Sequence, residues 1–525
     1  MLLRVKLPLA ILLLLAILSS CTYLKYAATQ ADYARIQKST PGQVNLKHMI
    51  DRDLFYVIGR TIDPAEHHAD RRMAIAAYSS KFKTNERVDT MFFSGAGTHY
   101  GLSLPEGDYR LVVFADLDNS GGFDHNEVVG QRTLHLDSVA EPEKIRTQID
   151  IMLSQAKTRE WVVSIPAPSE VTSRDSLFYP ASTIRSLDDP LFDERIATLG
   201  MYDPASFLEK APTMFYALNE DTAYKIPVVF VHGIGGTPRT FAPLVKNLDR
   251  QRFKPWFFYY PSGGDLDHLS EFFYSLFLSG DVIPLGEMPM IVVAHSMGGL
   301  VVRDALNKYK GVTGENHVAL LITIASPFGG HAAAAVGEAQ APLVLPAWRD
   351  LNPQSRFIRE LYRKPLPKTL SHHLLYAFND ARKFKLSENS DGVVALSSQL
   401  YPPAQQQSSS QFGFNSTHTG ILGHEAMIEY VHDKMSRVEN IYPKLHMDLL
   451  LKGGYELRID NSYTELTQYY VRTLGRYLVA MAKGEIKPIN ATQEHFLQVV
   501  RGQSVARTKE ENELLEWMRS TERLQ

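Results

Sequence analysis

The 525-residue chain has one cysteine, Cys21, so no disulfide can form within it. Its stability must come from buried apolar surface instead. It also lacks a charge surplus: 55 Lys and Arg face 58 Asp and Glu, a formal net charge of −3. No long basic stripe is present, so nucleic acid is not an expected partner. Long apolar runs are missing beyond residue 18, and no later segment has the uninterrupted ~20 apolar residues of a membrane-spanning helix. His424-Glu425 has no second histidine at helical spacing, which leaves no zinc-peptidase pattern. No cofactor is expected for catalysis. The length points to two or more domains.

What is present begins at the N-terminus. Arg4 and Lys6 precede an apolar stretch at 7–18, and small residues lead to the cysteine in Leu18-Ser19-Ser20-Cys21. This charge, length and ending are those of a secretory signal peptide, expected over 1–20. The same residues resemble the lipobox of bacterial lipoproteins, in which the cysteine is acylated and becomes the first mature residue. That resemblance implies lipidation at Cys21 and a membrane partner reached through an N-terminal lipid anchor. Thr22, rather than Asp, resembles the outer-membrane sorting pattern. The expected location is therefore the bacterial cell envelope, lipid-anchored at the outer membrane. More than one acyl chain suffices for stable attachment.

Residues 21–45 are polar with scattered tyrosines and read as a tether. Strands are expected at 54–59, 71–78, 89–93, 109–115, 148–153 and 161–165, separated by Gly, Pro and Asn turns. Their spacing fits a small β-sandwich domain over 46–168. Residues 169–225 carry Pro180, Pro190, Pro204 and Pro212 and read as a connector, with a short helix at 191–199. Over 226–432, apolar strands at 228–231, 257–260, 290–294, 318–325 and 374–378 alternate with helical patterns at 240–249, 266–278, 300–308 and 353–362. That alternation predicts an α/β domain with a mostly parallel sheet. Residues 433–525 read as a helical C-terminal extension, with exposed helices at 464–483 and 494–522.

Within the β-domain, 116–127 reads DLDNSGGFDHNE and fits a twelve-residue calcium loop position by position. Asp116, Asp118 and Ser120 hold positions 1, 3 and 5, and Gly121 makes the turn. The Gly122 carbonyl, Asp124 and a bidentate Glu127 complete the set. A strand rather than a helix leads in, unlike an EF-hand. Acidic Asn/Gly loops also make ordinary strand turns. The sequence leaves structural calcium and a solvated turn both open.

The stretch that organises the α/β domain is 290–306, MIVVAHSMGGLVVRDAL. Residues 290–294 form an unbroken apolar run, as a strand covered on both faces requires. Leu300, Val301, Ala305 and Leu306 then recur at helical spacing, with Arg303 and Asp304 on the other face. Ala294 and Gly298 flank His295-Ser296-Met297 with small residues. This is a nucleophile elbow with Ala for the first Gly, and it lifts the Ser296 hydroxyl above the sheet. His232-Gly233-Ile234-Gly235-Gly236 follows the first strand of the domain. A loop there supplies oxyanion donors, and the amides of Ile234 and Met297 are the expected pair.

Together VVFVHGIGGTPRTF, IVVAHSMGG and TIASPFGG resemble the α/β-hydrolase fold, and within it the bacterial lipases and esterases. Ser326-Pro327-Phe328-Gly329-Gly330 is similar to a T-P-H-G-G segment, with Phe328 in place of His. Residues 350–355 resemble a segment common in lipases acting on lipid-like substrates. The resemblance spans 226–432 and implies the order Ser, acid, His. In Ser390-Asp391-Gly392-Val393-Val394 it points to Asp391, with Asp380 as the rival nearer a strand end. In Thr417-His418-Thr419-Gly420-Ile421-Leu422 it points to His418, with His424 as the rival. His372 and His373 are expected to be structural.

The expected activity is cleavage of carboxylic esters, of acyl lipids or other hydrophobic esters, by a Ser296–His418–Asp391 triad through an acyl-enzyme. Residues 329–346, small, apolar and Ala-rich, read either as a lid or as a packed surface helix. Two other readings stay open. One is an acyltransferase with the same triad. The other is a non-catalytic envelope interaction protein on a hydrolase scaffold.

Overall fold

The computed structural model describes residues 6–39, 46–50, 54–65, 67–68, 70–79, 86–140, 144–154, 164–165, 183–218, 224–280, 282–283, 287–309, 317–379, 389–454 and 457–522; of 6–21 only the helical path is described. The chain opens with one helix over Lys6–Ser39. It runs without a break through the stretch read as leader and tether. Tyr23, Tyr26, Gln30 and Tyr33 fall at helical spacing and so share a face. Tyr23 and Tyr26 pack on Tyr202, the second stacked at 5.7 Å. Gln30 donates to the His48 carbonyl and accepts from the Ile50 amide. From Thr22 onward, among the described residues, no helix is long and apolar enough to cross a membrane.

Two sheets follow. In the first, Leu54–Ile62 pairs antiparallel with His99–Pro105 and parallel with Ile145–Arg146 and Ile151–Met152. The second is antiparallel, in the order Glu86–Ser94, Arg72–Ser79, Gly107–Ala115, Val128–Leu136. Phe55 and Val57 from one sheet and Ile75, Leu111 and Val113 from the other share a core. Strand alternation sends Tyr56 and Ile58 to the opposite face, into the core of the α/β domain. There Tyr56 meets Phe272 edge-on at 4.8 Å and donates to the Pro212 carbonyl. The strands His99–Pro105 and Val128–Leu136 were not expected; Gly, Ser and Pro interrupt the first, and polar residues alternate through the second.

The central sheet has seven strands, ordered Phe215–Ala217, Phe253–Phe258, Ile226–Val231, Met290–His295, Val318–Ile324, Ser371–Phe378, Ser410–Asn415. Only the first pairing is antiparallel. Four strands are buried at every position or nearly so, as helices on both faces require. The two edge strands were not foreseen: one is three residues long, and Ser410–Asn415 is largely polar and exposed.

Three local findings go beyond the sequence pattern or correct it. Helical spacing sets Arg303 and Asp304 on a face of their own, yet they are not exposed, because the whole helix Met297–Asn307 is buried. The Arg303 guanidinium is received by Asn307, Gln407 and the Lys364 carbonyl. Nor are the C-terminal helices a set of separate surface helices. The expected helix at 494–522 is two, Ala491–Val500 and Lys509–Glu522. With Lys444–Lys452 and Glu465–Ala482 they bury Leu450, Val471, Met481, Phe496 and Trp517 in a core of their own. This unit meets the α/β domain at Tyr224, while Arg252 binds the Ser436 and Val438 carbonyls. Tyr224 and Arg252 precede their strands, so these contacts lie at the end of the sheet opposite Ser296.

Candidate active site

The strand Met290–His295 runs into the helix Met297–Asn307 with one residue between them, Ser296. That residue has φ 54° and ψ −129°, a conformation sparsely populated by non-glycine residues. It is held by its amide, which donates to the Ile324 carbonyl of the neighbouring strand at 2.8 Å. The turn closes only because its flanks are small. A Cβ on Gly298 would lie 2.5 Å from the Val231 carbonyl oxygen, and one on Gly299 would lie 2.1 Å from Ser326 Oγ.

The two amides expected as oxyanion donors belong to the elements that flank the serine. Met297 opens the helix, so its N–H has no partner within the helix. The second donor comes from the loop after Ile226–Val231. Its Gly233 passes so close that a Cβ would stand 2.7 Å from Ser296 Cβ, and Ile234 is the next residue of the loop. The loop is fixed by three bonds. The Gly235 amide donates to Ser262 Oγ at 2.8 Å, the Gly236 amide to the Gly233 carbonyl at 3.0 Å, and Tyr260 Oη to the His232 carbonyl at 2.5 Å. His232 stacks on Tyr260, and burial pushes it down to about 4, so it stays neutral.

His418 lies in the loop after Ser410–Asn415, the last strand of the sheet. Its Nε2 accepts from Ser296 Oγ at 2.9 Å, and its Nδ1–H donates to Asp391 Oδ2 at 2.6 Å. This tautomer follows from the carboxylate on one side and the hydroxyl on the other. Asp391 is 1% exposed. Its Oδ1 accepts from the amides of Val393 and Val394, and Oδ2 also accepts from Gln399 Nε2 at 3.1 Å. A buried carboxylate with four donors is pinned in place.

Two supporting residues were not singled out from the sequence. Gln399 donates to Asp391 and to the Ala377 and Val394 carbonyls, and accepts from the Ala377 amide, tying the acid loop to its strand. Nothing in the local sequence marks it. His295 donates from Nε2 to the His418 carbonyl at 2.9 Å. Burial first and His418 second push it down to about 3, so it remains neutral. Its place inside the elbow motif was the available signal.

The structure thus gathers Ser296, His418 and Asp391 in one chain of hydrogen bonds, with Ile234 and Met297 flanking the serine. The rival His424 precedes the helix Glu425–Ser436 and packs its ring on Phe414 instead. Asp380 lies outside the described residues. His372 is buried against Thr323, with Phe328 edge-on to it at 6.1 Å. His373 bonds Tyr430 and Ser410. The Ala-rich stretch forms the helix Ala332–Gln340, capped by His331, whose Nε2 donates to the Val393 carbonyl of the acid loop. Asn352 donates to Glu338 and so braces that helix. Of the six proposed calcium ligands, Asp116, Asp118 and Glu127 converge, with ligand atoms within 4.8 Å of one another. Asp124 does not join them, and its Oδ1 accepts from the Asn126 amide. Cys21 lies on the path of the N-terminal helix.

No family model and no curated protein matches the sequence. Among solved structures, the mature Bacillus licheniformis lipase BlEst2 is 16% identical over 41% of this chain and 96% of its own, with a TM-score of 0.32. Aspergillus fumigatus lipase B is 18% identical, covering 44% of this chain and 58% of that one, with a TM-score of 0.33. Legionella pneumophila phospholipase PlaB is 19% identical, covering 33% and 44%, with a TM-score of 0.29. These three neighbours are two lipases and a phospholipase, alike at low identity and over part of the chain.

Proposed function

We propose that the chain is a serine hydrolase of carboxylic esters, acting on acyl lipids or other hydrophobic esters. The observation that carries this reading is the unbroken relay from Ser296 Oγ to His418 Nε2 (2.9 Å) and from His418 Nδ1 to Asp391 Oδ2 (2.6 Å), on a backbone strained at the serine. Ser296 attacks the ester carbonyl carbon as His418 takes its proton. The amides of Ile234 and Met297 receive the charge that develops on the carbonyl oxygen. Collapse breaks the ester C–O bond, and His418 returns the proton to the leaving alcohol. Water then attacks the acyl-enzyme and gives a proton to His418, and collapse frees the acid and restores the Ser296 hydroxyl. Asp391 holds His418 in the required tautomer throughout.

The proposed setting is the bacterial outer membrane, with acyl chains on Cys21. Two residues beyond it, Tyr23 Oη donates to the Leu343 carbonyl and accepts from the Leu343 amide, both at 2.8 Å, and its ring lies 6.0 Å from Trp348. An anchor there would hold the segment beside the acid loop against the lipid surface, which suits substrates drawn from that surface. Labelling with a fluorophosphonate tests the nucleophile. The reading expects covalent modification of the wild-type protein and none of Ser296→Ala. An unlabelled wild-type protein that is folded would overturn it. An added acceptor alcohol that captures the acyl group in preference to water would turn the reading toward a transferase.

A further inference from the structure

We infer that the loop between the strands Gly107–Ala115 and Val128–Leu136 binds one calcium ion, through Asp116, Asp118 and Glu127, independently of the ester chemistry. Three acidic side chains from one loop are gathered there, their ligand atoms within 4.8 Å of one another. The stronger observation is Asp116 itself. It is 1% exposed, and its Oδ1 is buried without a hydrogen-bond partner among the described residues. Its other oxygen is satisfied, by the Gly121 amide at 3.1 Å and by Arg72 at 3.0 Å. A buried carboxylate oxygen left unpaired is costly, and a cation is the partner that removes the cost.

The loop is wound as an ion cage would need. Glu127 Oε1 accepts from the Leu117 amide and Oε2 from the Asp124 amide, which turns the last ligand back over the first. Asp118 Oδ1 accepts from the Ser120 amide, and Gly121 has φ 83°, a left-handed turn suited to glycine. The Gly122 carbonyl and Ser120 Oγ lie on the same turn. All donors are oxygens on an irregular loop, the preference of calcium rather than of rigidly octahedral magnesium. Asp124, at position 9 of the loop, fits a ligand acting through water. The consequence is structural. The same loop carries Phe123–Asp124, which pairs with Ser164–Ile165 and buries Phe123 and Ile165 in a satellite core. An ion at Asp116 would therefore secure the corner at which the later chain joins the β-domain.

The test is calorimetric titration of the EGTA-stripped full-length protein, in detergent, with calcium chloride, alongside thermal unfolding. The expected result is one site per chain with Kd of about 1 mM or tighter, and a raised unfolding temperature. Magnesium should bind at least about tenfold more weakly. Asp118 is exposed, so Asp118→Asn should keep the wild-type unfolding temperature in EGTA yet bind calcium at least about tenfold more weakly. Three results would each overturn the inference: no heat and no thermal shift up to about 10 mM calcium, undiminished binding by Asp118→Asn, or equal destabilisation of that variant with and without calcium.

Discussion

Ser296 keeps its strained backbone because everything around it is too tight to relax. The Gly298 and Gly299 positions meet the Val231 carbonyl and Ser326 at distances that no side chain tolerates. Gly298→Ala should therefore destabilise the α/β domain by about 1–3 kcal/mol or more, since the obstacle is backbone, and should abolish turnover. Urea unfolding beside an ester assay checks both. Gln399 touches Asp391 and not the serine, which makes it a positioning residue. Gln399→Ala should lower kcat roughly tenfold with KM little changed, because the carboxylate loses a donor while the acyl pocket stays as it was. The serine, the acid and the base could be read from the sequence because each sits in a short motif of glycines and small residues in a fixed order. Gln399 acts by burial and by bonds across the sheet, for which the sequence has no local mark, while His295 was marked only by its place in the elbow motif.

Among the elements, the short turn Leu46–His48 is open to pH. It ties the N-terminal helix to the connector. His48 contacts Asp203 at 3.6 Å and Glu209 at 3.5 Å, and Lys47 bonds Asp89 and Glu209. Burial pulls His48 down, but the carboxylates of Asp203 and Glu209 beside it outweigh that and raise it to about 9. A folded value above the unfolded 6.5 means the contribution is complete below about pH 6.5 and is lost as pH rises through 9. Thermal unfolding should therefore fall between pH 6.5 and 9 in the wild type, and His48→Gln should flatten that fall. An unchanged slope in the variant would contradict the assignment. Elements with a strong period were legible: the elbow helix and the buried parallel strands are long apolar patterns. The strands His99–Pro105 and Ser410–Asn415 were not, because Gly, Ser and polar residues break their alternation while ladder hydrogen bonds still hold them. The helix at 266–278 ends in a wider turn at Tyr274–Leu278, which a 3.6 period does not reveal.

At the scale of the whole molecule, the β-domain, the α/β domain and the C-terminal helices each bury apolar cores of their own. The β-domain docks through Tyr56 and Ile58, and the C-terminal helices dock at the far end of the sheet from Ser296. The ends of the strands that carry Ser296 and His418 face instead toward the Ala-rich helix and the N-terminal helix. Sequence could not show this arrangement, since contacts such as Tyr23 with Leu343 join residues 320 positions apart. Tyr23→Ala should leave hydrolysis of a soluble short-chain ester within about twofold of wild type and lower hydrolysis of vesicle lipid several-fold, because loss of one half-buried hydrogen-bond pair loosens the docking and not the triad. Equal losses on both substrates would place Tyr23 in the fold alone. The most direct test of the central claim is turnover of p-nitrophenyl esters, from short to long acyl chains, by the wild-type protein and by Ser296→Ala. The account predicts hydrolysis by the wild type and loss of at least ~10³-fold in the variant with its fold intact. Turnover that survives in Ser296→Ala, or a folded wild-type protein inactive on every chain length, would contradict it.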